Sequence, residues 1–214
     1  MTIPTNNQPT APQSKPNESG AVSIQGHIKI FDPVTKEVLI DKRNAIHYEN
    51  FSIALAQSIS NNDGPIGEMV FGNGGSRVDP TGIITYLTPN NVGSNAGLYN
   101  QTYYKTVDAK RNYSLDPARN FMETRHIIGT AYSDVLVSCL LDFGEPNDQS
   151  AFDTGTSSTT DYIFDELGLK SYSSAGPNEG MLLTHVIFHP VQKSLNRMIQ
   201  VDYTIRIQSI SSGI

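Results

Sequence analysis

Between Ile199 and Gln208 the chain alternates without a fault. Ile199, Val201, Tyr203, Ile205 and Ile207 interleave with Gln200, Asp202, Thr204, Arg206 and Gln208. Successive side chains of a strand point to opposite faces, so a period of two sorts these residues into an apolar face and a polar one. The apolar face must be covered by a core. The polar face meets solvent or a partner. A strand of this kind needs pairing strands, and the rest of the chain supplies them.

Val22, Ile24, Ile28 and Ile30 share one face of an expected strand over Ala21–Phe31, with Gly26 marking a bulge or a close approach. Asp32-Pro33-Val34-Thr35-Lys36 is turn chemistry, and Glu37–Asp41 returns as the second arm of a hairpin. Further strands are expected over Ile66–Phe71, Ile83–Leu87, Gln101–Val107, Phe121–Thr130 and Asp134–Phe143. In the last of these both faces are apolar, which predicts a central strand. Asp161–Pro190 reads as strand, turn at Gly168, polar loop, and a second strand over Met181–Phe188 that stops at Pro190. That strand is expected to form a hairpin with Ile199–Gln208 across Pro190–Asn196, giving one three-stranded antiparallel sheet. One helix is expected, at about 48–60, where Phe51, Ala54, Leu55 and Ile59 recur at helical spacing before Asn61-Asn62-Asp63-Gly64-Pro65 stops it.

The fold class is therefore mainly β: an antiparallel β-sandwich or a partly open barrel of roughly eight to ten strands with one packed α-helix. Residues 21–214 form a single β-rich domain, and 214 residues suit that size. Residues 1–20 are a Pro/Asn-rich arm whose composition cannot bury a core of its own. Extended, such an arm would lie along a neighbouring subunit.

Composition excludes several functions. Fifteen Lys and Arg stand against 21 Asp and Glu, whereas nucleic-acid binders are usually basic. No apolar run reaches the ~18 residues of a membrane span, and no secretory stretch opens the chain. Cys139 stands alone, so no intrachain disulfide forms. Charged residues make up only 17%, leaving a hydrogen-bonding surface suited to long-lived packing.

The candidate chemistry is thin. His185 and His189, four apart on a strand, lie ~13 Å from each other and cannot share a metal. His27, His47 and His126 show no ligand spacing. Asp165 and Glu166 face opposite ways as strand neighbours, a poor acid/base pair, and either suits the cap of a turn at Gly168. Gly72-Asn73-Gly74-Gly75 lacks the Lys-Ser/Thr and following helix of a phosphate loop. Cys139 sits among apolar neighbours, and Arg111, Arg119 and Arg125 are interleaved with acids near Tyr103, Tyr104 and Tyr113. No catalytic, cofactor or metal residue is assigned.

Three segments carry a resemblance. They are Gly67-Glu68-Met69-Val70-Phe71-Gly72-Asn73-Gly74-Gly75 with Asp79-Pro80-Thr81; Phe164-Asp165-Glu166-Leu167-Gly168-Leu169; and Leu182–Pro190 running to Lys193. In this order they resemble the N-terminal attachment domains of tail-fibre proteins of contractile-tailed, myovirus-like bacteriophages. The whole chain is similar to virion structural proteins of large phages of that kind. No repetitive shaft follows the last strand, so the resemblance implies an adaptor, collar or baseplate component. It implies a non-enzymatic virion protein of the neck, tail or baseplate, assembled in the host cytoplasm. Its partners would be other virion proteins, with the chain itself a homo-oligomer in a ring and no nucleic acid or membrane bound. A capsid decoration protein and a carbohydrate-binding module are the alternatives, the latter weakened by the absence of Trp. The expected contact residues are Pro4, Pro9, Pro12 and Pro16 of the arm, with Asn73, Tyr86, Tyr99, Tyr113, Glu166 and Leu169. The loops Asn73–Asn100, Asp108–Arg119 and Gly144–Thr160 would carry the contact surface.

Overall fold

The computed structural model describes residues 20–60, 64–93, 95–111, 114–147 and 161–211. The prolines of the arm, Tyr113 and most of the loop at Gly144–Thr160 lie outside these residues.

Among the described residues eleven strands and one helix follow in order: β1 (Gly20–Phe31), β2 (Val38–Ile46), α1 (Tyr48–Ile59), β3 (Ile66–Gly72), β4 (Ser76–Val78), β5 (Ile84–Tyr86), β6 (Gln101–Thr106), β7 (Phe121–His126), β8 (Tyr132–Leu141), β9 (Asp161–Ser171), β10 (Leu182–Ser194) and β11 (Ile199–Ser211). Nine of them form one antiparallel sheet in the order β6-β3-β9-β10-β2-β1-β11-β8-β7, curled into a half-barrel. Of the two architectures that alternation allows, this is the partly open barrel. β4 and β5 pair only with each other and stand apart as a short ribbon.

The strictly alternating segment is β11, between β1 and β8, with Ile199, Val201, Tyr203 and Ile205 buried. Facing it across the core is an aromatic row from the other half of the sheet. Phe71 meets Phe164 edge-on at 5.4 Å, Tyr162 stacks on Phe164 at 5.4 Å, and Phe164 meets Phe188 at 5.8 Å. Such pairs add to the stabilisation that burial gives each ring. A buried cation closes the curl: Lys105 of β6 donates to the Leu140 carbonyl of β8 at 2.7 Å and pairs with Glu145. Lys193 of β10, fully buried, donates to the Glu145 carbonyl at 2.6 Å.

β2 joins the two halves. Its first part, Val38–Asn44, pairs with β1, and only Ala45 and Ile46 pair with β10. α1 follows at once. His47 caps it, accepting from the Asn50 N–H on Nδ1 at 3.2 Å, and the Asn50 amide donates to the Leu182 carbonyl at 2.8 Å. Phe51 and Ala54 face the core, but Ile59 at the helix end is solvent-exposed, so the apolar stripe stops a turn early.

Three expectations are corrected. β10 and β11 make no hairpin: β10 pairs with β9 and β2, and β11 with β1 and β8, so the two strands lie in opposite halves of the sheet. β10 also runs through Pro190 to Ser194. A register shift between Ile187 and Val191 sets the proline where no ladder N–H is required. Finally, Gly168 is no turn. It sits inside β9 opposite His185, and a Cβ there would stand 2.4 Å from the Thr184 carbonyl oxygen. The glycine is needed for close backbone approach.

Candidate functional site: a ribbon clasped by buried carboxylates

The β4–β5 ribbon grows from the loop Asn73–Gly75, which offers a row of backbone N–H groups. In a sheet these would find carbonyl partners. Here the chain leaves the sheet, and β9 supplies acceptors from below. Asp165 accepts from the Gly75 N–H at 2.9 Å, the Ser76 N–H at 2.7 Å and the Ser76 hydroxyl. Glu166 Oε1 accepts from the N–H groups of Gly74 at 3.0 Å and Asn100 at 2.8 Å, and Oε2 from that of Tyr99 at 3.0 Å. The two neighbours therefore hold one loop together.

A histidine completes the clasp. His185 of β10 and Glu166 are both 0% exposed, with Nε2 and Oε2 2.9 Å apart. The Asn90 N–H donates to His185 Nδ1 at 2.8 Å. With Nδ1 accepting, Nε2 carries the proton and donates to Glu166. His47 repeats the arrangement, using Nδ1 as the α1 cap and placing Nε2 2.9 Å from the Gly93 carbonyl. The segment from Asn73 to Asn100 is thus pinned at Gly74, Asn90, Gly93, Tyr99 and Asn100. Burial pushes the Glu166 carboxyl up, but His185 and the N–H groups of Asn100, Tyr99 and Gly74 outweigh it and hold it below the usual glutamate value.

Above the clasp the ribbon is apolar and exposed. Its turn is built on Asp79, whose carboxylate accepts from the N–H groups of Thr81 at 2.8 Å and Ile83 at 2.9 Å. Val78 and Ile83, both 63% exposed, and Tyr86 at 48% face solvent. Single exposed hydrophobes are ordinary; here three lie within one short segment.

The expected contact residues divide accordingly. Asn73, Tyr86 and Tyr99 come together on this segment. The Asn73 side-chain oxygen accepts from Asn100, Tyr86 places its hydroxyl 3.2 Å from His189, and the Tyr99 hydroxyl donates to the Thr88 carbonyl at 2.7 Å. Glu166 and Leu169 are not at the surface: both are 0% exposed, Glu166 beneath the ribbon and Leu169 in the core. Pro4, Pro9, Pro12, Pro16 and Tyr113 lie outside the described residues. Asp165, His47 and His185, which sequence reasoning weighs only as acid/base, turn-cap or metal candidates, instead hold this segment through hydrogen bonds. The available signal was the Gly-Asn-Gly-Gly loop itself, whose free N–H groups call for acceptors elsewhere in the chain.

The carboxylate–histidine pair has the elements of acid/base chemistry, but both ring nitrogens are occupied and the pair is sealed from solvent. Among the described residues no group of three or more His, Cys, Asp or Glu is placed to hold a metal ion. No described helix is long and apolar enough to cross a membrane. No family model, no curated protein and no solved structure matches this chain.

Proposed function

We propose that the chain is a non-enzymatic structural protein of a tailed-phage virion, set in the neck or collar, tail or baseplate. There it docks neighbouring subunits or fibres through the β4–β5 ribbon. The observation that carries this reading is the pairing of an exposed apolar ribbon, Val78, Ile83 and Tyr86, with a base fixed by buried carboxylates. A surface already ordered before docking loses little conformational freedom on binding. Repeated around a ring, such a contact gains strength from multivalency without needing high intrinsic affinity.

The test is incorporation. A tagged chain made in cells infected by the phage that encodes it is expected in the particle band of a density gradient. The Val78→Asp/Ile83→Asp variant is expected to fold with unchanged thermal stability and to be lost from that band. Absence of the unaltered chain from purified particles, or normal incorporation of the folded variant, would overturn the proposal. Imaging labelled particles then separates neck, tail and baseplate from the capsid surface.

A further inference from the structure

β7 ends the sheet, and among the described residues β8 is the strand it pairs with. Its other edge is open. Native edges are commonly blunted by lysines, prolines or bulges. Phe121-Met122-Glu123-Thr124-Arg125-His126 has no lysine and no proline, and it follows β8 without a register shift. Such an edge is a template for another strand. The turn that leaves it carries Ile127 and Ile128, 61% and 94% exposed.

The hydrogen-bond phase of this edge follows from Leu140 of β8. Its N–H donates to the Asn120 side-chain oxygen at 2.9 Å, and its carbonyl accepts from Lys105 at 2.7 Å. Both groups therefore point away from β11, toward the β7 side. Alternate residues of a strand point the same way, so Ser138, Leu136 and Asp134 spend their N–H and C=O groups on Phe121, Glu123 and Arg125. Met122, Thr124 and His126 then direct theirs to the open edge. Glu123 and Arg125 share one face, and the Arg125 guanidinium reaches Glu123 at 2.9 Å. Asp134, the cross-strand neighbour of Arg125, is held by Arg206 through two bonds of 2.8 Å.

We propose that the occupant of this edge is a second copy of the chain, its β7 antiparallel to the first about a two-fold axis through Thr124. The outward groups of Met122, Thr124 and His126 then meet those of the copy in about six backbone hydrogen bonds. Glu123 faces Arg125 of the second copy, and Arg125 faces its Glu123, at the positions where opposed Cα atoms come within ~4.5 Å and side chains meet most closely. Phe121 faces Ile127 of the copy, which covers that exposed isoleucine with an aromatic partner. Charge selects this register. An axis moved one residue sets two Glu123 or two Arg125 side chains against each other, which is destabilising. Axes further along pair fewer residues of the strand. The contact does not rest on the virion reading, because the ribbon hangs from β3 and β9, toward the other end of the sheet.

Sedimentation equilibrium of the full chain tests it. The unaltered chain should dimerise reversibly across a micromolar to millimolar series. Glu123→Arg and Arg125→Glu should each weaken the dimer at least about tenfold, because each sets like charges together at both symmetric positions. Mixed in equal amounts, these two variants should regain it, since the like pair on one chain then meets the opposite pair on the other. Thr124→Pro removes the N–H on the axis but no bond to β8, so it should keep the fold and lose the dimer. Thermal melting confirms that each variant is folded. A chain that stays monomeric throughout would overturn the contact. So would a dimer indifferent to the charge reversals or to Thr124→Pro. A mixture no stronger than its components would overturn the register and with it the proposal.

Discussion

Replacing Glu166 with Gln removes one charge and one acceptor oxygen at constant volume, so it isolates the clasp. The carboxylate receives four donors: Gly74, Asn100 and Tyr99 N–H and His185 Nε2–H. A glutamine has one carbonyl oxygen and can satisfy two of them. The other two then face an NH₂ group. His185 cannot rescue the arrangement by moving its proton to Nδ1, because that nitrogen already accepts from Asn90. A hydrogen bond to a charged group contributes ~1.5–3 kcal/mol, so losing two costs about 3–6 kcal/mol. Folded domains have only ~5–15 kcal/mol in total. In a chain of this size the melting temperature should fall by about 10 °C. Urea titration at pH 7 should give a lower midpoint with an unchanged slope. The pH dependence supplies the sign. Glu166 is held below its ordinary value in the folded state, so its contribution is present above the unfolded pKa of ~4.3 and is lost as pH falls through the lower folded value. The two stability curves should therefore approach each other below about pH 4. A loss under ~1 kcal/mol at pH 7, or a gap that stays constant into acid, would refute the clasp.

Other positions give independent checks. Gly168→Ala places a methyl 2.4 Å from the Thr184 carbonyl and should cost ~2 kcal/mol or more by denaturant titration, whereas a mere turn glycine would tolerate it. Burial pushes the Cys139 thiol up to about 12, so a thiol reagent at pH 8 should label it only on the timescale of unfolding; rapid labelling of the native chain would contradict its place in the core. Burial pulls Lys193 down to about 8, despite the nearby Glu145 and Asp142 carboxylates. Below pH 8 both folded and unfolded chains carry its proton and the full cost of burying the charge is felt; between about 8 and the ordinary lysine value of ~10.4 that cost fades and stability should rise. Lys193→Met should flatten this rise, measured as urea midpoint against pH.

How much of this was legible in the sequence follows from which forces are local. Periodicity is a local property, and it located the helix to within a residue, and the alternating strand and the β1–β2 hairpin about Asp32 with their far ends short, since β11 runs on to Ser211 and β2 to Ile46. Strand pairing is not local. β10 and β11 are joined by a short turn with the spacing of a hairpin, yet they separate, because β11 has β1 and β8 as partners and β10 has β9. Nothing in the turn records those competitors. The role of Gly168 is equally non-local: glycine frees a turn and permits close packing alike, and only the Thr184 carbonyl decides between them. The clasp shows the limit most sharply. Asp165 and Glu166 were set aside as an acid/base pair on the argument that strand neighbours face opposite ways. That argument holds for a flat strand meeting a flat sheet. It fails where a loop of free N–H groups wraps around the edge of β9 and meets both carboxylates. The physical need was written in the glycine loop, and its solution about ninety residues later in β9; only the fold brings the two together.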